Sequence, residues 1–377
     1  MRIEVTKANR LAWKMVVAVL GSGKGAAYNS WLVLDGKTAF TACGDGVVSI
    51  EMDLPEAVDH PVILHAAQVQ AALKIDANVL QVDPYLSCLA TINGVQPSDV
   101  HVHPKSWIEA REQFLARAMS KKVGTLRVDI EAVTKVSPFM SFKDIRAWLN
   151  GVCVELATGR IVASDGHTMA ISNAGAASFE GEPDGMRGRN VLIRREAIEL
   201  IQKAGWECLE VYEPLAMQED SAETMDGLAI AAPFDGGRLL VHAMAGAYPD
   251  YRRQLAKTVI DASKNGYAEA VFQCDHKELE KHIRAVKSAG RGRNIELGLV
   301  VDVWGHVAAS EESPVAFRKP ATVRRLTGMF STAMVNAQYL LRGMRALGNV
   351  AAWKVSASDV WSASTPDLTV LVMPMQM

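Results

Sequence analysis

The chain has 377 residues, enough for two to four domains. Its 49% hydrophobic and 22% charged content excludes disorder, collagen and coiled coil. Forty basic against 42 acidic residues give a net charge of −2, so the whole-molecule field does not draw the chain onto a polyanion. No apolar run approaches the ~20 residues of a membrane helix, and Lys14 interrupts the Leu11–Leu20 stretch, so a cytoplasmic location is expected. The five cysteines (Cys43, Cys88, Cys153, Cys208, Cys274) are scattered without a CxxC pair, which argues against a disulfide framework and a zinc site.

In chain order, a period-two strand at Ile3 and Val5 runs into a helical pattern at Leu11, Met15 and Val19. The same order returns at Leu126–Ile130 followed by Val133 and Val136. It comes a third time at Ala270–Cys274 followed by Leu279, Ile283 and Val286. A second amphipathic helix is predicted in each third, at His65–Ile75, Arg194–Ala204 and Val335–Leu347. Short Val/Ile/Leu runs ending in turns lie between them: Trp31–Leu34 before Asp35-Gly36, Val152–Leu156 before Thr158-Gly159, and Glu296–Val303 before Gly305. This reads as a threefold α+β repeat. Trp107–Lys122 reads as an amphipathic helix with a basic end between the first two repeats, and Ala216–Asp226 as an acidic exposed loop.

The chemistry-bearing motifs are weak singly. Gly21-Ser22-Gly23-Lys24-Gly25 lacks the first Gly (Ala18 stands there) and the Ser/Thr of a phosphate loop, so a flexible turn is the plain reading. His101 and His103 share a strand face but have no third ligand nearby; joined to Asp165 and His167 they would make a metal-dependent hydrolase, a reading with little behind it. Ser164-Asp165-Gly166-His167 cannot form a triad from adjacent positions, and reads as a hairpin turn between Ile161–Ala163 and Met169–Ile171. Tyr248-Pro249-Asp250-Tyr251-Arg252-Arg253 is a boundary turn or a recognition patch. The tail from Leu371 to Met377 is apolar, so it must bury itself or serve as a binding surface.

Three of these segments, and a fourth at Asp144–Gly151, carry a resemblance. Ala163–Ala170 (ASDGHTMA) resembles the "ATDGHRLA" turn of the bacterial DNA polymerase III beta subunit, the sliding clamp. Tyr248–Arg253 is similar to that family's "FPDYRR", Asp144–Gly151 to its "DVRYYLNG", and Val372–Gln376 to its closing "VMPMR". The order and spacing agree, and the resemblance spans the whole length, strongest from about 126 to 255 and at the tail.

The resemblance implies three clamp-type domains (1–122, 123–255 and 256–377), each with two helices packed on antiparallel sheet, assembled as a homodimeric ring around duplex DNA. It implies a non-catalytic processivity factor near the nucleoid, with no cofactor, metal or membrane. It would bind double-stranded DNA without sequence preference. The polymerase alpha subunit and the clamp loader would dock through short linear motifs carrying a Gln and Leu/Phe anchors. The partner pocket would be lined by Arg146, Trp148, Gly166, His167, Thr168, Met169, Pro249, Arg253, Leu371, Met373, Pro374 and Met375. Lys24 and Lys143 match positions of channel-side groups, and the helix cations Lys74, Arg194, Arg195, Lys203, Arg284 and Arg342 would face DNA, with Lys281 and Arg345 on the same helices. Against the family pattern, Thr168-Met169 replaces Arg-Leu and Gln376 replaces Arg. Lys287-Ser288, opposite a surface near Leu86 and Cys88, would make the ring interface more polar. The Trp107–Lys122 helix has no counterpart. The alternative reading is a clamp-like protein of a phage or mobile element that sequesters clamp partners without encircling DNA.

Overall fold

The structure, a computed structural model, describes residues 2–4, 10–19, 31–43, 48–65, 79–81, 108–109, 112, 115–116, 119, 121–181, 190–213, 228–244, 248–252, 270–273, 275–289, 298–301, 307–310, 324–327, 333–348, 353–355 and 360–374. Outside them lie several sequence expectations: the Gly21–Gly25 turn with Lys24, most of the His65–Ile75 helix with Lys74, and Leu86, Cys88, His101, His103, the 216–226 loop, Arg253, Met375 and Gln376. The chain forms two compact units that interleave in sequence, Met1–Ile130 with Ser178–Gly246, and Glu131–Ala177 with Ala247–Met377.

In the first unit one sheet runs in the strand order Trp31–Cys43, Val48–His65, Gly237–His242, Ala229–Phe234, Cys208–Glu213, Lys121–Val128 and Ala177–Gly181. The pairing is antiparallel from the first of these through Lys121–Val128. Asp35-Gly36 does not end the first strand, although its residue types are those of a turn. Gly36, at φ +53°, sits inside that strand and the register slips on either side of it. Likewise Lys121 and Lys122 open a strand rather than closing a helix, because Val123, Leu126 and Val128 point their apolar side chains into the core.

Two helices pack together in this unit. Arg10–Val19 buries Ala12, Trp13, Met15 and Val16 against the first two strands. Arg195–Ala204 buries Ala197, Ile198, Leu200 and Ile201, the i, i+1, i+3, i+4 stripe that a helix needs to bind a sheet. Each such large side chain contributes roughly 1.5–3 kcal/mol. Gly205, at φ +66°, ends the second helix in the left-handed conformation, its N–H bonded to Gln202 O at 3.3 Å.

Half-buried His242 ends its strand near Arg194, whose Nε is buried without a partner among the described residues. Burial first, and then the Arg194 charge, push the imidazole down to about 4 from its ordinary 6.5. Between those values the unfolded chain binds a proton that the folded chain does not. Stability is therefore full above pH 6.5 and falls toward pH 4, by about 1–2 kcal/mol after discounting for residual solvent contact. His242→Asn is expected to flatten this part of the urea-midpoint profile. A variant profile parallel to wild type between pH 7 and 4.5 would remove His242 as the cause.

In the second unit, strands Gly151–Glu155, Arg160–Ser164, Thr168–Ser172, Leu368–Val372, Trp361–Ser364, Trp353–Val355, Ala270–Gln273 and Arg324–Thr327 are neighbours in that order, all antiparallel. A smaller antiparallel sheet joins Val307–Ser310, Gly298–Val301 and Ala333–Asn336. The strand-then-helix order expected at three places is present at each: Arg2–Glu4 then Arg10–Val19, Lys121–Val128 then Ile130–Val136, and Ala270–Gln273 then His276–Ala289.

The Ala337–Leu347 helix starts where Asn336 Oδ1 accepts from Gln338 N–H at 2.9 Å. It buries Leu340, Leu341, Met344 and Leu347 and packs on strand Leu368–Val372. Gly343 allows that approach: a Cβ there would lie 2.6 Å from the Trp353 ring and 3.0 Å from Val370. The architecture is thus α+β with antiparallel sheets.

Candidate functional site

Everything described of the expected pocket falls in the second unit. Its centre is the hairpin between Arg160–Ser164 and Thr168–Ser172, which pairs Ala163 with Ala170 and Ser164 with Met169. A loop this short needs a left-handed residue, and Gly166 supplies it at φ +88°. Asp165 fastens the turn from inside. Its Oδ1 accepts from His167 N–H (3.0 Å), Thr168 N–H (2.6 Å) and Thr168 Oγ1 (2.9 Å). Ser164 Oγ donates to Thr168 O at 2.8 Å and accepts from Gly166 N–H at 3.0 Å. Ser164 Oγ and the Asp165 carboxylate are thus engaged in holding the turn, as the hairpin reading expects.

The C-terminal strand completes the surface. Leu371 pairs with Met169 and Val372 with Thr168, and Met373 N–H then donates to His167 O at 2.8 Å. Pro374 bridges to Val335. Leu368, Val370 and Val372 are sealed, Leu371 is buried, and Met373 is 39% exposed. The apolar tail therefore buries a strand, and among its described residues Met373 is exposed.

A second polar device covers the turn. Asp144 grips Arg146 side-on, Nε to Oδ1 at 2.9 Å and Nη2 to Oδ2 at 2.8 Å, and also accepts the Arg146 backbone N–H at 2.8 Å. Asn150 holds Asp144 through paired bonds of 2.9 and 2.8 Å. The Arg146 hydrogen bond keeps the Asp144 carboxyl well below the usual carboxylate range. So fixed, the Arg146 guanidinium lies on the backbone of Gly166, where a Cβ would meet Nη2 at 2.8 Å. The same loop displays Phe142 and Ile145, 71% and 100% exposed, with Lys143 at φ +59° and its Nζ 5.3 Å from the Phe142 ring centre.

The Tyr248–Arg252 segment buries both tyrosines and exposes Pro249 and Arg252. Arg252 Nη2 donates to Glu155 Oε2 at 2.8 Å, an oxygen that also accepts from Thr158 Oγ1 at 2.7 Å, and this ties the segment to strand Gly151–Glu155. Burial raises the Tyr248 phenol and the neighbouring Cys153 thiol well above their ordinary pKa, so neither ionises near neutrality. Trp148 is half-buried in a short turn of 3-10 helix, Ala147–Leu149.

Two residues not expected at this turn belong to it. Tyr339 stacks on His167, centroids 5.5 Å apart at 13°. Arg342, expected on the DNA side, sends Nη1 to Asp165 Oδ2 at 2.5 Å and to Thr168 Oγ1 at 3.1 Å. They stand three apart on one helix face, which is the signal the sequence offered. Of the other expected DNA cations, Lys203 is exposed at the end of its helix. Arg195 lies 4.0 Å from Glu199, and Arg284 shares Glu280 with Arg345. Lys281 is exposed. Among the described residues no group of three or more His, Cys, Asp and Glu is placed to hold a metal, and no helix is long and apolar enough to cross a membrane.

No family model matches this sequence, and no curated protein does. Solved structures do match. A putative DNA polymerase III beta subunit from Eubacterium rectale has a TM-score of 0.68 at 11% identity, covering 100% of this chain and 99% of that one. The DNA polymerase sliding clamp of Pseudomonas aeruginosa gives 0.66 at 16%, covering all of both chains. The beta subunit of Thermotoga maritima gives 0.67 at 13%, with 100% and 99% covered. Over its whole length the chain has the fold of the DNA polymerase III beta sliding clamps, at an identity that marks a divergent sequence.

Proposed function

We propose that the chain is a sliding clamp: a non-catalytic ring of two protomers, each of three domains (1–122, 123–255 and 256–377), that encircles duplex DNA and tethers partner proteins. The observation that carries this reading is the clamp fold over 100% of the chain, tail strand included. A ring holds DNA by topology, so a net charge of −2 is compatible with it, provided cations such as Lys143, Arg195, Lys203 and Arg284 line the channel; Lys24, Lys74 and Arg194 complete that set. Arg342 stands apart from this set, since its Nη1 is hydrogen-bonded into the turn at Asp165 and Thr168.

Partners, including the polymerase alpha subunit and the clamp loader, dock a short motif on the surface of Arg146, Gly166–Met169, Leu371, Met373 and Pro374. Trp148, Pro249, Arg253 and Met375 extend it. Apolar Met, Leu and Pro faces beside a polar rim suit Leu/Phe anchors at about micromolar Kd, so partners can exchange.

Light scattering after gel filtration is expected to give twice the chain mass at micromolar concentration. Protein loaded on a nicked circular plasmid by a clamp loader is expected to stay bound in high salt until the plasmid is linearised. A monomer that binds the motif peptide yet is never retained on circles would instead establish a protein that sequesters partners without encircling DNA.

A further inference from the structure

Arg342 holds the turn with one nitrogen only. Both of its hydrogen bonds leave Nη1, while Nε and Nη2 have no partner among the described residues; 30% of the side chain is exposed. The guanidinium also lies over two rings, its Cζ 5.8 Å from the Phe139 ring centre and 5.5 Å from that of Tyr339. Arg146 shows what the open edge can do, since it grips both oxygens of Asp144 through the same two nitrogens. In the turn itself Thr168 stands where the resembled motif has Arg, so the turn has no guanidinium of its own.

We propose that Arg342 is the specificity-determining residue of the partner pocket: the helix supplies the guanidinium that the turn lacks, and its Nε–Nη2 edge takes a carboxylate of the bound segment beside the apolar anchor. This rests on the peptide-docking reading above. A carboxylate fits better than a lone carbonyl because the open edge offers two parallel donors, and two oxygens satisfy both. The edge is one guanidinium width from Thr168, which pairs with Val372, and Met373 comes directly after it. The carboxylate is therefore expected next to the residue that seats against Met373. Lysine could not replace this arginine, having a point charge and no planar fork.

The test is fluorescence anisotropy with two labelled peptides, Gln-Leu-Asp-Leu-Phe and its isosteric Asn counterpart, on the full-length protein. Wild type is expected to bind the Asp peptide about 10-fold tighter than the Asn peptide. Arg342→Met should erase that difference and hold the Asn peptide within about threefold of wild type, and Arg342→Lys should retain only part of the discrimination. Equal binding of the two peptides by wild type overturns the assignment while the pocket reading stands, as does a preference that persists in Arg342→Met. If Arg342→Met melts far below wild type, Arg342→Lys decides, and full discrimination there overturns the bidentate contact. No binding of either peptide to wild type overturns this assignment and the docking reading together.

Discussion

Asp165→Ala is expected to cost about 3 kcal/mol of stability and to abolish motif-peptide binding. The carboxylate is the hub of the turn: one oxygen takes three donors from His167 and Thr168, and the other takes Arg342. Its side chain is only 13% exposed, and that of Arg342 30%. Truncation thus strands a half-buried guanidinium and three donors, and removing one member of a largely buried ion pair costs roughly 3–5 kcal/mol. Partial rehydration of Arg342 sets the lower figure. Asp165→Asn keeps an acceptor for the turn but turns N–H groups toward Arg342, so it should lie between. Urea unfolding gives the stabilities, and a double-mutant cycle with Arg342→Met should give a coupling of at least about 1 kcal/mol. An Ala variant within about 1 kcal/mol of wild type would mean that the hairpin is held by its strands and not by Asp165.

The turn was legible because its information is local. Asp-Gly between two short apolar runs specifies a hairpin, and the backbone obeys it. The strand-to-helix starts at Ile3, Leu126 and Ala270 were legible for the same reason, a change of period from 2 to 3.6 within a few residues. The expected helices Arg194–Ala204 and Val335–Leu347 begin at Arg195 and Ala337, since the residues before them finish strands. What periodicity cannot carry is the partner of a strand. Thr168–Ser172 pairs with Leu368–Val372, some 200 residues away, and nothing in either segment names the other. Asp35-Gly36 has turn chemistry, yet burial of Leu32, Leu34, Ala39 and Phe40 on either side keeps it within one strand. Arg342 looked like any helix-face cation, because the carboxylate that claims it lies 177 residues away.

That remote pairing also gives the tail its role. A strand whose residues 368, 370, 371 and 372 are all buried is anchored by the strands on either side of it. The Met373 backbone is fixed by His167 O, while its side chain is exposed. An unbranched thioether in that position adapts to a Leu or Phe anchor at small conformational cost. Met373→Ala with Met375→Ala is therefore expected to weaken motif-peptide binding about 30-fold, the ~2 kcal/mol of an interface hot spot. The urea midpoint should barely move, because the exposed Met373 side chain contributes under ~0.5 kcal/mol to folding. Anisotropy titration beside urea unfolding separates the two effects. Wild-type affinity in the double variant would place the apolar anchor elsewhere, on the Phe142–Ile145 loop for instance; a fall in the urea midpoint as large as the fall in affinity would make the tail a structural strand and no more.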